Sequence, residues 1–330
     1  MAQVAPDDFS RYETFNLLKT PYKKVDSHEI NVDILYPKLL TKSPPTGSPI
    51  LIRFHGGGLI AGSSLFPQFF GHWVLELAER HQAIIVSPDH RFLPEASASD
   101  VMDDLDDLWK WTNTSLSSYL SDETRAEIKP DVNRTLVTGD SSGGLLSILF
   151  SLSYADSLRA TTAAYPMVDI MGEWYTTKFH KDFFGLPQFP ESVVGDHVAK
   201  VKEEEARTGK KVVVSSDPEL ERAPILFSAI QNGLYKEYFS PRDDRLIPFD
   251  RLDKGARFPK GGLFVWHSVD DSICPIDGSE KLAAKVKELQ PDLPFTLAKR
   301  PGEHGFDGDS KIDEDWLKKG LASLVQAWLK

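Results

Sequence analysis

Short apolar runs rich in β-branched residues recur along the 330-residue chain, and helix-like segments lie between most of them. In those segments apolar positions repeat every three or four residues, as they do in an amphipathic helix. The predicted strands lie at 31–37, 49–55, 83–89, 135–140, 161–167, 262–268 and 294–300. Strands that alternate with helices at this spacing indicate the α/β class, with a mostly parallel sheet flanked by helices on both faces. A functional site is expected at the carboxyl ends of the strands.

Two regions interrupt this alternation. Residues 1–30 carry aromatic side chains without a strand or helix pattern, and residues 171–240 form a long insertion. The insertion has six aromatic residues within sixteen positions: Trp174, Tyr175, Phe179, Phe183, Phe184 and Phe189. Because so much apolar surface must be covered, we predict that both regions form a lid over a core of residues 31–170 and 241–330. The first four aromatic residues are predicted to line a ligand pocket, and packing within the lid's own core is the alternative.

Composition and charge narrow the range of partners. The chain is 41% hydrophobic and 26% charged, with a formal net charge of −11. A negative surface repels phosphate backbones, which argues against nucleic acid as a partner. The N-terminal stretch lacks the pattern of a signal peptide and no apolar run has the length of a spanning helix, so we predict a cytoplasmic protein without stable membrane insertion. Cys274 is the single cysteine, which excludes an internal disulfide and a cysteine-based metal cluster.

Residues 139–144 read GDSSGG and place Ser141 in the pattern Gly-x-Ser-x-Gly. The pattern follows the apolar run TLVTG and precedes an apolar helical stretch, which is the context that a nucleophile elbow requires. Such a turn holds the hydroxyl at a helix N-terminus, where the helix dipole favours developing negative charge. The motif therefore predicts Ser141 as a nucleophile. The alternative is a Gly/Ser turn that only caps a helix.

A serine hydroxyl needs a base to accept its proton and an acid to orient that base. His304 lies in the glycine-bounded stretch RPGEHGFDGD just after the last predicted strand, and it is the predicted base. Two carboxylates, Asp270 and Asp271, follow the strand at 262–268. We predict Asp271 as the acid, because a short loop ending at Pro275 turns that side chain back over the strand ends. Asp270 is the alternative.

Residues 55–58 read HGGG at the end of an apolar run. Glycines let a backbone approach a ligand without side chains in the way. Acyl transfer passes through an oxyanion that preorganised N–H groups stabilise, and we predict the backbone N–H groups of Gly57, Gly58 and Ser142 as those donors. The competing interpretation is a phosphate-binding loop, but the stretch lacks the Lys-Ser/Thr of a P-loop and the G-x-G-x-x-G spacing.

These motifs together resemble those of a known family. HGGG at 55–58, GDSSGG at 139–144 and DHRFLPE at 89–95, with the late Asp271 and His304, are similar to the hormone-sensitive-lipase-like branch of the α/β-hydrolases. The chain order of serine, acid and histidine is also that of α/β-hydrolases. The resemblance implies the α/β-hydrolase fold, carboxylesterase chemistry and a lid built from the N-terminus and a later insertion.

Some positions depart from the usual motifs of that family. Leu59 stands where an aromatic residue often follows HGGG, and Ser142 replaces an alanine but keeps its backbone N–H. The acid loop DDSICP is similar to that of fungal members, many of which act on specialised metabolites. In HRFLPE, we predict that Arg91 and Glu95 form a structural ion pair beneath the site, and substrate contacts are the alternative.

The sequence thus predicts a serine hydrolase that cleaves a small or medium-sized apolar carboxylic ester through an acyl-enzyme, with no metal or organic cofactor. The same residues would serve a thioesterase, lactonase, amidase or cyclase acting on a specialised metabolite. A non-catalytic receptor is the alternative of another class, since plant hormone receptors resembling the family keep the fold. Those receptors lack the catalytic histidine, so His304 favours the enzyme. The natural substrate and the oligomeric state stay open.

Overall fold

A computed structural model describes residues 9–330 and shows an eight-stranded sheet at the centre of that range. The strands are β1 (Phe15–Val25), β2 (His28–Pro37), β3 (Ser48–Phe54), β4 (Ile84–Pro88), β5 (Pro130–Gly139), β6 (Ala160–Ala164), β7 (Leu263–Ser268) and β8 (Phe295–Arg300). The α-helices are α1 (His72–His81), α2 (Ala98–Thr114), α3 (Leu116–Thr124), α4 (Ser142–Ser153), α5 (Glu173–Thr176), α6 (Ser192–Thr208), α7 (Ala223–Gln231), α8 (Pro248–Asp253), α9 (Asp277–Leu289) and α10 (Asp315–Trp328). Short 3₁₀ helices lie at Phe9–Tyr12, Pro67–Phe69 and Leu234–Glu237.

The sheet is mostly parallel, with the strand order β1-β2-β4-β3-β5-β6-β7-β8. Only β2 pairs antiparallel with its neighbours β1 and β4 in the described sheet. Helices α1 and α10 pack on one face, and α2, α3, α4, α8 and α9 lie on the other. On β3, Leu51 packs in the core on the face covered by α1 and α10, while Ile50 and Ile52 pack in the core on the opposite face. The predicted α/β class and all seven predicted strands are confirmed.

The prediction that residues 1–30 contain no strand is wrong, because β1 pairs with β2 at the edge of the sheet. In the sequence β1 resembles a polar loop, since it contains lysines and Pro21 and many of its side chains are exposed. Lysines and proline are typical of edge strands. Its inward side chains Phe15 and Tyr22 are buried in the core. Phe15–Val25 therefore belongs to the sheet rather than to a lid, and the first eight residues lie outside the described range.

The insertion, residues 171–240, contains α5, α6, α7 and the 3₁₀ helix Leu234–Glu237. It packs on the loop that follows β3, where an isolated β-bridge joins Gly62 to Asp217 of the insertion. The N–H of Asp217 donates to the carbonyl oxygen of Gly62 at 2.7 Å. The insertion therefore covers the edge of the sheet where the parallel strands end and where sites of such sheets are found.

A buried carboxylate below that loop makes the stability of the fold depend on pH. Asp89 is 1% exposed and accepts a hydrogen bond from the N–H of Ser64 at 2.8 Å. Burial raises its pKa to about 7; the Ser64 N–H and the charge of Lys19 oppose this, and the charge of Asp33 adds to it. Because the folded state binds this proton more tightly than the unfolded chain, Asp89 lowers the stability as pH rises towards 7.

Between pH 5 and pH 8, the free energy of unfolding of the wild type is expected to fall by about 2–3 kcal/mol relative to that of Asp89→Asn, because the amide cannot ionise. Urea denaturation of both proteins at the two pH values measures this change. Asp292→Asn on an exposed turn is the matched control and is expected to show no such change. An identical pH response of Asp89→Asn and the wild type would show that Asp89 does not titrate in this range.

Candidate active site

Ser141 lies at the sharp turn between β5 and α4, with φ 56° and ψ −117°. A non-glycine residue in such a region is strained by about 1–3 kcal/mol, and strain of this kind concentrates at functional sites. A Cβ atom on Gly139 would lie 2.1 Å from the carbonyl oxygen of Gly143, so only glycine fits beside the turn. A Cβ on Gly143 would lie equally close, 2.1 Å, to the carbonyl oxygen of Phe54. The predicted elbow is therefore present in the structure.

His304 and Asp271 lie beyond the carboxyl ends of β8 and β7, and Nδ1 of His304 is 2.8 Å from Oδ2 of Asp271. The other carboxylate oxygen of Asp271 accepts from the N–H groups of Ile273 and Cys274. Burial raises the pKa of Asp271, but the charge of His304 and hydrogen bonds from His267, His304 and the Cys274 N–H outweigh it. Together they hold the pKa of Asp271 well below its usual range. Asp271 thus stays ionised and accepts the Nδ1–H of His304.

The alternative acid, Asp270, points elsewhere. Its side chain accepts from the N–H of Gly302 at 3.2 Å, and the residue is exposed. The side chain of Asp271, by contrast, is fully shielded from solvent. The structure therefore selects Asp271 over Asp270 as the partner of His304.

The hydroxyl of Ser141 lies 3.9 Å from the thiol sulfur of Cys274, and within residues 9–330 it makes no hydrogen bond to His304. A serine side chain exchanges between staggered rotamers, and the hydrogen bond of a catalytic serine often forms fully only when a substrate is bound. The structure thus brings His304 and Asp271 together and leaves Ser141 beside Cys274. Nothing in the sequence indicated that Cys274 contacts the nucleophile.

A second buried carboxylate, Asp307, binds Tyr165, and the ring of Tyr165 packs on His304. The ring of Tyr165 packs on His304 with centroids 4.6 Å apart and planes at 61°. Its hydroxyl donates to Asp307 at 2.8 Å, and Asp307 also accepts from the indole N–H groups of Trp266 and Trp73. The sequence reasoning missed this group, although Asp307 lies three positions after His304. These contacts hold the imidazole between Tyr165 and Asp271.

The glycine loop is oriented through its carbonyl groups. The Nδ1 atom of His55 lies 2.7 Å from the carbonyl oxygen of Gly56, and the N–H groups of Ile60 and Ala61 donate to the carbonyl oxygen of Gly57. In a planar trans peptide the N–H points opposite to the C=O. The N–H groups of Gly57 and Gly58 therefore point away from these partners. Within residues 9–330, neither N–H has an acceptor.

The N–H of Ser142 is oriented in the same way. The carbonyl oxygen of Ser141 accepts from the N–H of Met167 at 3.1 Å, so the N–H of the same peptide group points to the opposite side. In the described part of the chain this N–H also lacks an acceptor. All three N–H groups predicted as oxyanion donors thus remain free to bind one.

A partly buried carboxylate, Asp140, connects the elbow to the glycine loop. One of its oxygens accepts from the N–H of Gly56 at 3.0 Å, and the other pairs with the guanidinium of Arg53 at 2.9 Å. Burial raises the pKa of Asp140 to about 6, and the charge of Arg53 opposes this shift. This link fixes the distance between the nucleophile and the loop, and the sequence reasoning did not single it out.

Comparison with known proteins shows what this chain is similar to. A family model described as alpha/beta hydrolase fold matches residues 51–204, a span that contains both the glycine loop and the elbow. A probable carboxylesterase of Phoma sp. is 29% identical over 324 residues, which is 97% of this chain and 98% of that protein. The chain has the α/β-hydrolase fold and resembles carboxylesterases. The predicted fold is thereby confirmed, and the family predicted from the motifs is supported.

Two further proteins that the chain resembles differ in size. A fungal esterase structure from Rhizomucor miehei matches 98% of this chain and 86% of its own, with a TM-score of 0.58 and 18% identity. A non-reducing polyketide synthase of Emericella nidulans is 24% identical over 332 residues, 87% of this chain but 13% of the synthase. The fold is therefore shared both with an esterase of similar length and with a small part of a much larger protein.

Arg91 and Glu95 both form structural ion pairs, but not with each other as predicted. Arg91 pairs with Asp100 and Asp104 of α2, and Glu95 makes a two-point ion pair with Arg222 of the insertion. The Nε of Arg222 also donates to the carbonyl oxygen of Ile60 at 2.6 Å. The pair Glu95–Arg222 thus joins the core, the insertion and the loop after HGGG.

The four aromatic residues predicted to line a pocket take different positions. Tyr175 is buried and its hydroxyl contacts the thiol of Cys274, next to Ser141. Trp174 and Phe179, together with Tyr175, line an open groove of about 270 Å³ between α5 and the start of α9. Phe183 is fully buried and packs on Trp174 and Phe227, within the insertion itself. Tyr175 thus contacts the same thiol as Ser141, and Phe183 belongs to the packing of the insertion.

The part of the chain that the structure describes shows neither a metal centre nor a membrane-spanning helix. Across residues 9–330, no three His, Cys, Asp or Glu side chains are grouped so that they could hold a metal ion. No helix in that range has the length and apolar character needed to cross a bilayer.

Proposed function

We propose that the protein hydrolyses small or medium-sized apolar carboxylic esters through an acyl-enzyme formed on Ser141. The observation that carries the proposal is the pairing of His304 with a buried, ionised Asp271 beside a serine in the elbow conformation. A histidine whose Nδ1–H is held by a carboxylate presents Nε2 as a base. This arrangement is the one that activates a serine hydroxyl.

In the proposed reaction, the Ser141 hydroxyl oxygen attacks the acyl carbonyl carbon while Nε2 of His304 takes the hydroxyl proton. The charge that develops on the carbonyl oxygen is stabilised by the free N–H groups of Gly57, Gly58 and Ser142. His304 then passes the proton to the departing alcohol oxygen as the C–O bond breaks. Water attacks the acyl-enzyme, gives one proton to His304, and releases the carboxylic acid as Ser141 regains its proton.

Hydrolysis of a thioester is the second candidate. It is favoured by the similarity to the polyketide synthase, whose name denotes an enzyme that builds acyl chains. The triad would act identically, with a thiol as the leaving group. A role in specialised metabolism is proposed for both candidates.

A panel of chromogenic and mass-detected esters, thioesters, lactones and amides tests these candidates. We expect short and medium acyl esters to be hydrolysed with the highest kcat/KM. A preference for thioesters of at least about tenfold, roughly 1.4 kcal/mol in transition-state binding, would favour the second candidate. A protein that binds acyl compounds without turning them over would instead support a receptor.

The insertion is proposed to act as a lid, with Tyr175 as a substrate contact and with Trp174 and Phe179 near the entrance. Tyr175→Ala is expected to change the ranking of esters by acyl length about tenfold or more, since pocket contacts discriminate by about 1–3 kcal/mol per methylene-sized change. Phe183→Ala is the matched control: it removes a buried ring of the same insertion and is expected to lower the melting temperature without changing that ranking. If both variants rank the esters in the same order, Tyr175 is a packing residue and not a substrate contact.

A further inference from the structure

The insertion touches the glycine loop through one buried hydroxyl. The phenol of Tyr235 donates to the carbonyl oxygen of Gly58 at 2.7 Å. Tyr235 lies in the 3₁₀ helix after α7 and is completely shielded from solvent. Burial raises its pKa well above the ordinary value, so the phenol keeps its proton and remains a donor. No residue of the triad takes part in this hydrogen bond.

The packing around this contact explains why the loop needs a glycine at position 58. A Cβ atom there would lie 2.7 Å from the Tyr235 hydroxyl oxygen and 2.0 Å from a methyl carbon of Leu226 in α7. The backbone of Gly58 has φ +66°, a conformation that L side chains adopt rarely. The insertion therefore sits directly on the Gly58 backbone, in space that any side chain would occupy.

The successive carbonyl groups of the loop have different supports. The Gly57 carbonyl is held by N–H groups of the loop itself, from Ile60 and Ala61. The Gly58 carbonyl is held by Tyr235, and the Ile60 carbonyl by Arg222, so two of these supports come from the insertion. Glycine has the widest conformational freedom of all residues, so a glycine triplet without such supports would sample many orientations of its N–H groups.

Gly58 joins two peptide groups that serve different purposes. The peptide before its Cα carries the N–H proposed as an oxyanion donor, and the peptide after its Cα carries the carbonyl held by Tyr235. Fixing the second peptide restricts ψ of Gly58, and the hydrogen bonds to Gly57 restrict the first. With both peptides fixed, the Gly58 N–H keeps one direction before substrate arrives, which is the preorganisation that oxyanion stabilisation requires.

We propose that Tyr235 is a positioning residue for the oxyanion hole, so that the insertion is part of the catalytic apparatus as well as a cover. The proposal rests on the ester hydrolysis proposed above. Without the phenol, the buried Gly58 carbonyl has no donor, and the loop must shift to find one. The N–H groups of Gly57 and Gly58 then lose their fixed direction while the triad stays intact.

The test compares Tyr235→Phe with Tyr238→Phe. Tyr238 lies three positions later and is partly buried, and its hydroxyl makes no hydrogen bond within residues 9–330. Tyr238→Phe therefore removes one hydroxyl without removing a hydrogen bond, which makes it the matched control. Tyr235→Phe is expected to lower kcat for ester hydrolysis about 10- to 100-fold, somewhat less than the loss of an oxyanion donor itself. The KM is expected to stay within about threefold, because the defect acts mainly in the transition state. Tyr238→Phe is expected to match the wild type.

Two further measurements separate positioning from simple destabilisation. Affinity for a trifluoromethyl ketone, whose adduct carries an oxyanion, is expected to fall in parallel with kcat. Replacement of Tyr235 by 4-aminophenylalanine, which keeps a weaker donor, is expected to restore part of kcat at unchanged KM. If Tyr235→Phe does not fold, the 4-aminophenylalanine protein is compared directly with the wild type. A lower kcat in that protein supports the proposal, and a wild-type kcat overturns it.

The outcomes distinguish the two proposals. Wild-type kcat in a folded Tyr235→Phe protein overturns the positioning role and leaves ester hydrolysis standing. If the wild-type protein hydrolyses no ester, the proposed function fails, and amide hydrogen exchange of the loop peptide then decides on Tyr235. Faster exchange at residues 56–61 in Tyr235→Phe than in Tyr238→Phe supports the positioning role, and equal exchange overturns it.

Discussion

Alanine in place of Ser141 or His304 is expected to lower kcat/KM for ester hydrolysis by about 10³-fold or more, because triad residues act as a unit in one proton transfer. Ser141→Ala removes the nucleophile, and His304→Ala removes the base that Asp271 orients. Steady-state kinetics with a chromogenic ester measure the loss, and circular dichroism shows that the fold is kept. Ser118→Ala and His180→Ala, at exposed positions, are the matched controls and are expected to keep wild-type rates.

The double variant of Ser141 and His304 is expected to be little worse than either single variant. Independent sites show additive losses, whereas residues that share one step do not. Additive losses in the double variant would mean that Ser141 and His304 do not share a proton transfer.

Asp271→Asn is expected to lower kcat by at least about 10²-fold, while Asp270→Asn stays close to the wild type. An amide at position 271 cannot stabilise the imidazolium and can impose the wrong tautomer on His304. Asp270 instead accepts from the backbone of Gly302 at an exposed position. Kinetics of the two variants at one pH, with melting temperatures of both, provide the comparison. The reverse ranking would assign the acid to Asp270.

The sequence predicted the parts of the fold that follow from strong local patterns. Most of the seven apolar runs became largely buried strands of one sheet, as is typical of parallel sheets covered on both faces. The exception is β8, an edge strand whose residues are half-buried or exposed. The elbow at Ser141 was predictable because its glycines are required by contacts closer than any Cβ permits. β1 was missed because an edge strand with lysines and a proline has the composition of a loop.

Other features depend on contacts between distant residues and were not readable from local pattern. The choice of Asp271 was an inference about loop direction until its 2.8 Å contact with His304 was seen. Tyr235 lies 177 positions from Gly58, and Asp307 binds Tyr165 from 142 positions away. Phe183 and Tyr175 are both aromatic residues of one segment, and only the three-dimensional packing separates the one inside the insertion from the one beside Cys274.

Ser141 is proposed as an activated nucleophile, and covalent labelling of its hydroxyl tests this role. A fluorophosphonate reacts with a serine only where a base and an oxyanion hole activate it. After incubation, intact mass and peptide mapping of the wild type are expected to show one phosphonyl adduct, on the peptide that contains Ser141, and Ser141→Ala is expected to show none. An unmodified wild type, or an adduct that persists in Ser141→Ala, would contradict the assignment.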